Sequence, residues 1–232
     1  MEQLANSFPV ALLRYIDLRL HQKELGAFVI LGPDGSGKTT LLPALVENAP
    51  GEFIGLDLGR RAKKSILNDG LNAVLLTILD KLQGILKSQR APLLRALVAP
   101  LFHFVTYVEL LARLIRTVPL TQQKTVLIER YYGVDCFTDP KRESHSPLER
   151  LATRLFFPKP GKVALLGGNA QEIADRKADI QADGIREYLR RTKAYLDRHG
   201  ISYIFVDTVQ NDIPQSVKAI SDELERSSAG LG

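Results

Sequence analysis

Residues Leu31 to Thr40 read LGPDGSGKTT, and few runs of this length restrict a fold so strongly. Gly32 to Thr39 matches G-x-x-x-x-G-K-[ST]. In that pattern the glycines let backbone N–H groups converge on phosphate oxygens. The lysine reaches the outer phosphates, and the hydroxyl after it can ligate Mg²⁺. Gly32, Gly35, Ser36, Gly37, Lys38, Thr39 and Thr40 are therefore the expected contacts to a nucleoside triphosphate. The apolar run AFVIL (27–31) precedes the loop, and TTLLPALVE follows it with helical spacing. A strand, a glycine-rich turn and a helix N-terminus are the setting in which such a loop holds an anion.

Four further apolar runs read as strands: FIGLDL (53–58), TVLIE (125–129), KVALLG (162–167) and SYIFVD (202–207). The runs at 27–31, 125–129, 162–167 and 202–207 are nearly unbroken, as in parallel strands covered on both faces. Helical spacing lies between them at Lys38–Glu47, Asn68–Lys87, Pro92–Thr117, Ile180–His199 and Pro214–Leu224, and another helical pattern covers Leu4–Leu25. Strands alternating with helices predict an α/β fold: a P-loop NTPase-type parallel five-stranded sheet flanked by helices. One domain is expected over 1–232, with an N-terminal helix in 1–24. The segment 60–120 reads as two long helices beside the carboxyl edge of the sheet.

Composition removes other classes. The chain has 232 residues, 45% hydrophobic and 25% charged, the profile of a globular protein rather than a disordered one. Its net charge of +5 is spread thinly; the densest cluster, Arg60–Lys64, suits a phosphate site or a solvated face better than a nucleic-acid surface. One cysteine, Cys136, forbids an internal disulfide and argues against a cysteine-based metal site. The most apolar stretch, 99–117, is interrupted by Glu109, Arg113 and Arg116, so a membrane span is not expected. A cytoplasmic protein is the natural expectation, and a homodimer is left open. The four histidines have no metal-ligand spacing, and serine-hydrolase, zincin and thioredoxin motifs do not occur.

A second carboxylate is expected at the end of a neighbouring strand. TVLIE supplies Glu129 as a candidate for the metal's water shell, and Arg130 beside it has a planar fork suited to phosphate. Arg130 could equally pair with Asp135 or Asp139. Asp57 could orient a substrate hydroxyl or pair with Arg60.

The loop GPDGSGKTT and the segment ERYYGVDCFTDPKR together resemble the thymidylate kinase-like family, and most closely a subgroup reading DRYY…DP[KR]R. Arg130, Tyr131, Tyr132, Asp139, Pro140, Lys141 and Arg142 fit that pattern. GGNAQEIADRKADI is similar to the family's strand-to-lid passage, which places a helical lid at 168–180. The resemblance implies an ATP- and Mg²⁺-dependent kinase acting on a small-molecule acceptor. Its first expected substrate is a nucleoside monophosphate, with a nucleoside or a sugar as the alternative. It also implies residue roles. Asp34 would bond an acceptor hydroxyl, and Arg130 and Arg60 would hold the acceptor's phosphate with Tyr131 beside them. Arg176 and Lys177 would close over the transferring group. Phe102, Phe104 and Tyr107 are candidates to stack on a base. The chain departs from the family in LGRRAKK after the second strand, in Glu129 where aspartate is usual, and in LLGGN at the end of the fourth strand. An ATP-hydrolysing switch subunit is the expectation from another class.

Overall fold

The computed structural model of the chain describes residues 8–48, 53–57, 77–78, 81–82, 84, 92–121, 125–140, 147–177 and 180–229. Its strands are β1 (Leu25–Leu31), β2 (Phe53–Asp57), β3 (Thr125–Glu129), β4 (Pro160–Gly167) and β5 (Tyr203–Asp207). They lie in the order β2-β3-β1-β4-β5, with every neighbouring pair parallel. The described helices are α1 (Phe8–Leu20), α2 (Lys38–Asn48), α3 (Pro92–Leu120), α4 (Tyr132–Thr138), α5 (Pro147–Phe156), α6 (Ala170–Asp175), α7 (Ala182–Arg198) and α8 (Ile213–Ala229). The result is an α/β fold with a parallel sheet flanked by helices.

The unbroken apolar strands are explained by what covers them. Along β1, Leu25, Ala27, Val29 and Leu31 join a core with Tyr15 of α1, Leu110 and Leu114 of α3, Val134 of α4 and Leu196 of α7. The alternate residues Phe28 and Ile30 face Leu41 and Leu45 of α2 and Val217 and Ile220 of α8. Successive side chains of a strand point to opposite faces, so a strand between two helical layers needs an apolar residue at every position. Each such side chain, fully buried, contributes about 1.5–3 kcal/mol.

The same layers locate a crevice. The chain leaves β1 toward α2 on one face and leaves β3 toward α4 on the other, although β1 and β3 are neighbours. Two adjacent strands whose connections diverge in this way open a cleft at their carboxyl ends, where open α/β sheets bind ligands. Ile30 pairs in register with Glu129, and Glu129 with Asp57, so three strand ends converge on that cleft.

Several expectations need correction. The N-terminal helix ends at Leu20 rather than near residue 24, because His21 and Gln22 turn out of it. Gln22 takes φ 51, and the Lys23 N–H bonds back to Leu18 O. β5 is not covered on both faces: it is an edge strand, and Phe205 is 41% exposed under the Lys193 ammonium, 4.1 Å from its ring centre. Of the two long helices expected in 60–120, α3 packs on α1 and the sheet face; the other falls mostly outside the described residues. Helices α4 and α5 were not anticipated. The signal for α5 was present in PLERLATRLF, with proline at the first helical position and leucines at 148, 151 and 155. Among the described residues no helix is long and apolar enough to cross a membrane.

Candidate active site

The glycine-rich loop joins β1 to α2 at the mouth of the cleft. A β-carbon added at Gly32 would lie 2.5 Å from Ser36 Oγ and 2.8 Å from the backbone oxygen of Leu166. Gly37 has φ 82 and open space around it, so only conformation excludes a side chain there. Gly37→Ala should therefore cost about 1–2 kcal/mol of left-handed strain and leave the fold intact. Gly32→Ala must displace β4 backbone and should be the more destabilising of the two. Thermal melts of both variants would check this; equal loss in the two would contradict it.

Lys38 opens α2, where the first N–H groups have no intrahelical acceptors and a partial positive charge collects. Its side chain is 5% exposed and folds back over the loop. The ammonium donates to Gly32 O and Pro33 O, both at 2.6 Å. Burial first, then the neighbouring Arg130, push its pKa down to about 8, against the opposing pull of Asp34, Asp135 and Glu129. The ammonium is thus held over the loop at a site that penalises its charge, ready for an anion to relieve that penalty.

Thr39 follows on α2 and donates from Oγ1 to Glu129 Oε1 at 3.2 Å. Glu129 is 5% exposed at the end of β3. Magnesium takes one or two protein oxygens and completes its shell with water and phosphate oxygens, so a Thr39–Glu129 pair beside a phosphate loop fits it. No cluster of three His, Cys, Asp or Glu that could hold a metal occurs among the described residues.

Arg130 turns the chain out of β3. Its φ of 61 is a left-handed conformation that costs a non-glycine residue energy, and its N–H reaches Ile30 O at 3.4 Å. That kink sends the arginine into the cleft and the next side chain, Tyr131, the other way. Arg130 donates to Asp34 Oδ1 at 3.0 Å, and its Nε lies 3.7 Å from Glu129 Oε1. Asp34 and Glu129 are thus two of its partners. Tyr131 is a correction: it is fully buried, donates to Pro158 O at 2.6 Å and packs against Phe157, so it is core rather than a substrate contact. Tyr107 is likewise packed edge-on among Tyr132, Phe156 and Phe157. Phe104 is exposed. Arg60 and the side chains of Asp57 and Phe102 lie outside the described residues, as do Lys141 and Arg142.

Arg176 and Lys177 follow α6, whose first turn is capped by Asn169 accepting from the N–H groups of Gln171 and Glu172. Arg176 donates to Thr208 O at 2.9 Å. The loop Thr208–Asp212 was missed by the sequence reading. Asp207 shapes it by accepting from the N–H groups of Val209 and Gln210, and an aspartate ending a strand before Thr-Val-Gln-Asn was the available signal.

Three cavities meet at this loop. One of about 280 Å³ lies between the loop, Arg130, Arg176 and Lys177. On one side it continues into a space of about 740 Å³ beneath Arg176 and the segment Thr208–Ser216, sharing Gly35, Gly37 and Thr40. On the other side, sharing Asp34, Lys38 and Arg130, is a cavity of about 300 Å³ reaching Asp135, Asp139 and Tyr188.

A glycine-rich loop between β1 and α2, with a carboxylate ending the adjacent strand, places the chain in the P-loop class of α/β folds. No protein-family model matches the chain, and no curated protein matches it in sequence. Among solved structures it is similar to the thymidylate kinase of Ehrlichia chaffeensis, with a TM-score of 0.50 and 16% identity over 86% of this chain and 98% of that one. It also superposes on a deoxyadenosine kinase from M. mycoides with bound dATP, at a TM-score of 0.49 and 10% identity over 86% of this chain and 99% of that one. The first likeness is one of fold: a parallel sheet flanked by helices, as in that kinase.

Proposed function

We propose that the chain is a small-molecule kinase that moves the γ-phosphoryl group of ATP, as its Mg²⁺ complex, to an acceptor held across the loop. The carrying observation is the row of three cavities joined through Gly32–Thr40, with Lys38, Arg130, Arg176 and Lys177 around the middle one. A donor on one side and an acceptor on the other would place the reacting atoms where those cations collect. Acceptors are drawn from the nucleoside monophosphate, nucleoside and sugar classes. We place the enzyme in the cytoplasm, which suits its one cysteine, buried and outside any internal disulfide.

In this reading Lys38 leaves the carbonyls of Gly32 and Pro33 for the β- and γ-phosphates. Thr39 and Glu129 would hold Mg²⁺, which when bound supplies positive charge to the phosphate oxygens. Arg176 and Lys177 close over the γ-phosphate as a lid and exclude water. An acceptor oxygen forms a bond to Pγ as the bond from Pγ to the bridging oxygen breaks; ADP leaves, and the acceptor's proton passes to solvent. Positioning and preorganised charge carry the rate, without a covalent intermediate.

Labelled ATP and a panel of nucleoside monophosphates, nucleosides and sugars test the proposal, with Lys38→Ala as the control. Acceptor-dependent ADP formation supports it. Hydrolysis indifferent to every acceptor would point to an ATP-driven switch instead, and failure to bind any triphosphate would remove both. Asp34, which holds Arg130 at the border of the acceptor cavity, gives a sharper expectation. Asp34→Ala should raise the acceptor KM by about tenfold, the scale of a lost charge-assisted hydrogen bond, with the KM for ATP nearly unchanged.

A further inference from the structure

Two helices turn large apolar side chains to water. In α5 the usual amphipathic order is inverted. Thr153 is its buried residue and donates to Glu149 O at 2.8 Å, while the Glu149 carboxylate accepts from the Tyr132 hydroxyl. The opposite side carries Leu148, Leu151 and Leu155, spaced i, i+3 and i+7, with Phe156 beside them. Helix α1 repeats that spacing with Leu13, Ile16 and Leu20, while Ala11, Tyr15 and Leu18 face the core. The seven outward side chains are between 41% and 75% exposed. The two helices are tied together at their C-terminal ends: Arg19 donates to Arg154 O and Leu155 O at 3.0 and 2.7 Å, and the Tyr15 hydroxyl donates to Phe156 O.

The apolar area on these adjoining helices is on the order of 700 Å², more than a monomer usually exposes in one patch. It is close to the ~800 Å² that each partner buries in a standard specific interface. Charges of both signs border it, with Asp17 next to Ile16 and Arg154 next to Leu155, both exposed. A surface for anionic lipid would carry cations alone. A second copy of the same face, turned by a two-fold axis, instead brings apolar centre to apolar centre and both signs to the rim. We propose that the chain forms a symmetric dimer in which the stripes of α1 and α5 pack against those of a second copy. Among the described residues none of α1 or α5 lines the three cavities, so both glycine-rich loops stay open in the dimer. The inference is independent of the kinase reading.

Sedimentation equilibrium of the intact chain tests it without any nucleotide. At roughly 50 µM, above the micromolar limit for interfaces of this size, the mass should be twice the 25.8 kDa of one chain. Leu151→Glu combined with Leu155→Glu should raise the dimer Kd by at least about a hundredfold, the scale of losing central anchors. Val46→Glu changes an exposed residue of α2, which packs on the other face of the sheet, and should leave the Kd within about twofold, as expected away from an interface. Hydrogen exchange on the unaltered chain keeps the test independent of how the variants fold. Dilution below the Kd should speed exchange in α1 and α5 and leave α2 and α8 unchanged. A monomer at 50 µM, a dimer that survives both glutamates, or exchange in α1 and α5 that ignores dilution overturns the inference. A monomer that sediments with vesicles containing phosphatidylserine also overturns it and gives the face to a membrane.

Discussion

Replacing Lys38 with alanine is expected to lower kcat/KM for ATP-dependent phosphoryl transfer by at least about 10²–10³-fold, the scale reported for losing one preorganised donor to transition-state charge. The fold should survive, because the lost ammonium is a desolvated charge bonded to loop carbonyls rather than a strut of the core. The direction of the Lys38 shift adds a pH dependence. With a pKa lowered to about 8 from an ordinary 10.5, the ligand-free protein has lost about half of this proton at pH 8 and most of it by pH 9. Phosphate oxygens favour the ammonium and restore its pKa upward, so ATP binding between pH 8 and 9 should take up a proton, and affinity should fall as pH rises. Calorimetry in two buffers of different ionisation enthalpy measures the uptake. Net release of protons in that range, or an affinity that climbs with pH, would contradict the assignment. Folding linkage has the opposite slope: between about 8 and 10.5 the unfolded chain binds more protons at Lys38, so this residue's contribution to stability rises with pH there.

The second large effect concerns stability. Tyr131→Ala should destabilise the protein by about 3–5 kcal/mol, the range for removing a buried aromatic. Tyr131→Phe should cost about 1–3 kcal/mol, because Pro158 O is left as a buried acceptor without its donor. Burial also holds the Tyr131 hydroxyl protonated well above its ordinary range, so the bond to Pro158 persists at every pH of interest. Urea denaturation of both variants, with acceptor and ATP KM values for Tyr131→Phe, checks the claim. A phenylalanine variant of unchanged stability but weakened acceptor use would return Tyr131 to the substrate site.

Tyr131 also marks a boundary between what sequence and structure each disclose. The resemblance of ERYY to a kinase motif assigned Arg130 and Tyr131 together to the substrate. The φ of 61 at Arg130 separates them, sending one side chain into the cleft and the next into the core. No spacing rule reports a single backbone angle. Edge position is equally silent: SYIFVD reads as a strand covered on both faces, yet β5 is last in the sheet order and leaves Phe205 half in water.

What the sequence determined by itself was local. The loop from Gly32 to Thr40, the helix it opens and the apolar runs at 27–31, 125–129 and 162–167 depend on neighbours a few residues away, and they are legible for that reason. Tertiary structure decided which distant residues share the cleft. Asp34 meets Arg130 across 96 positions, Asp135 meets Tyr188 across 53, and Arg176 meets Thr208 across 32. Those meetings follow from strand order and from the opposite exits of β1 and β3, which only the packed sheet establishes. The cavity that brings Asp34, Asp135 and Asp139 together from β1's loop, α4 and the residue after it is a property of that packing and of no segment alone.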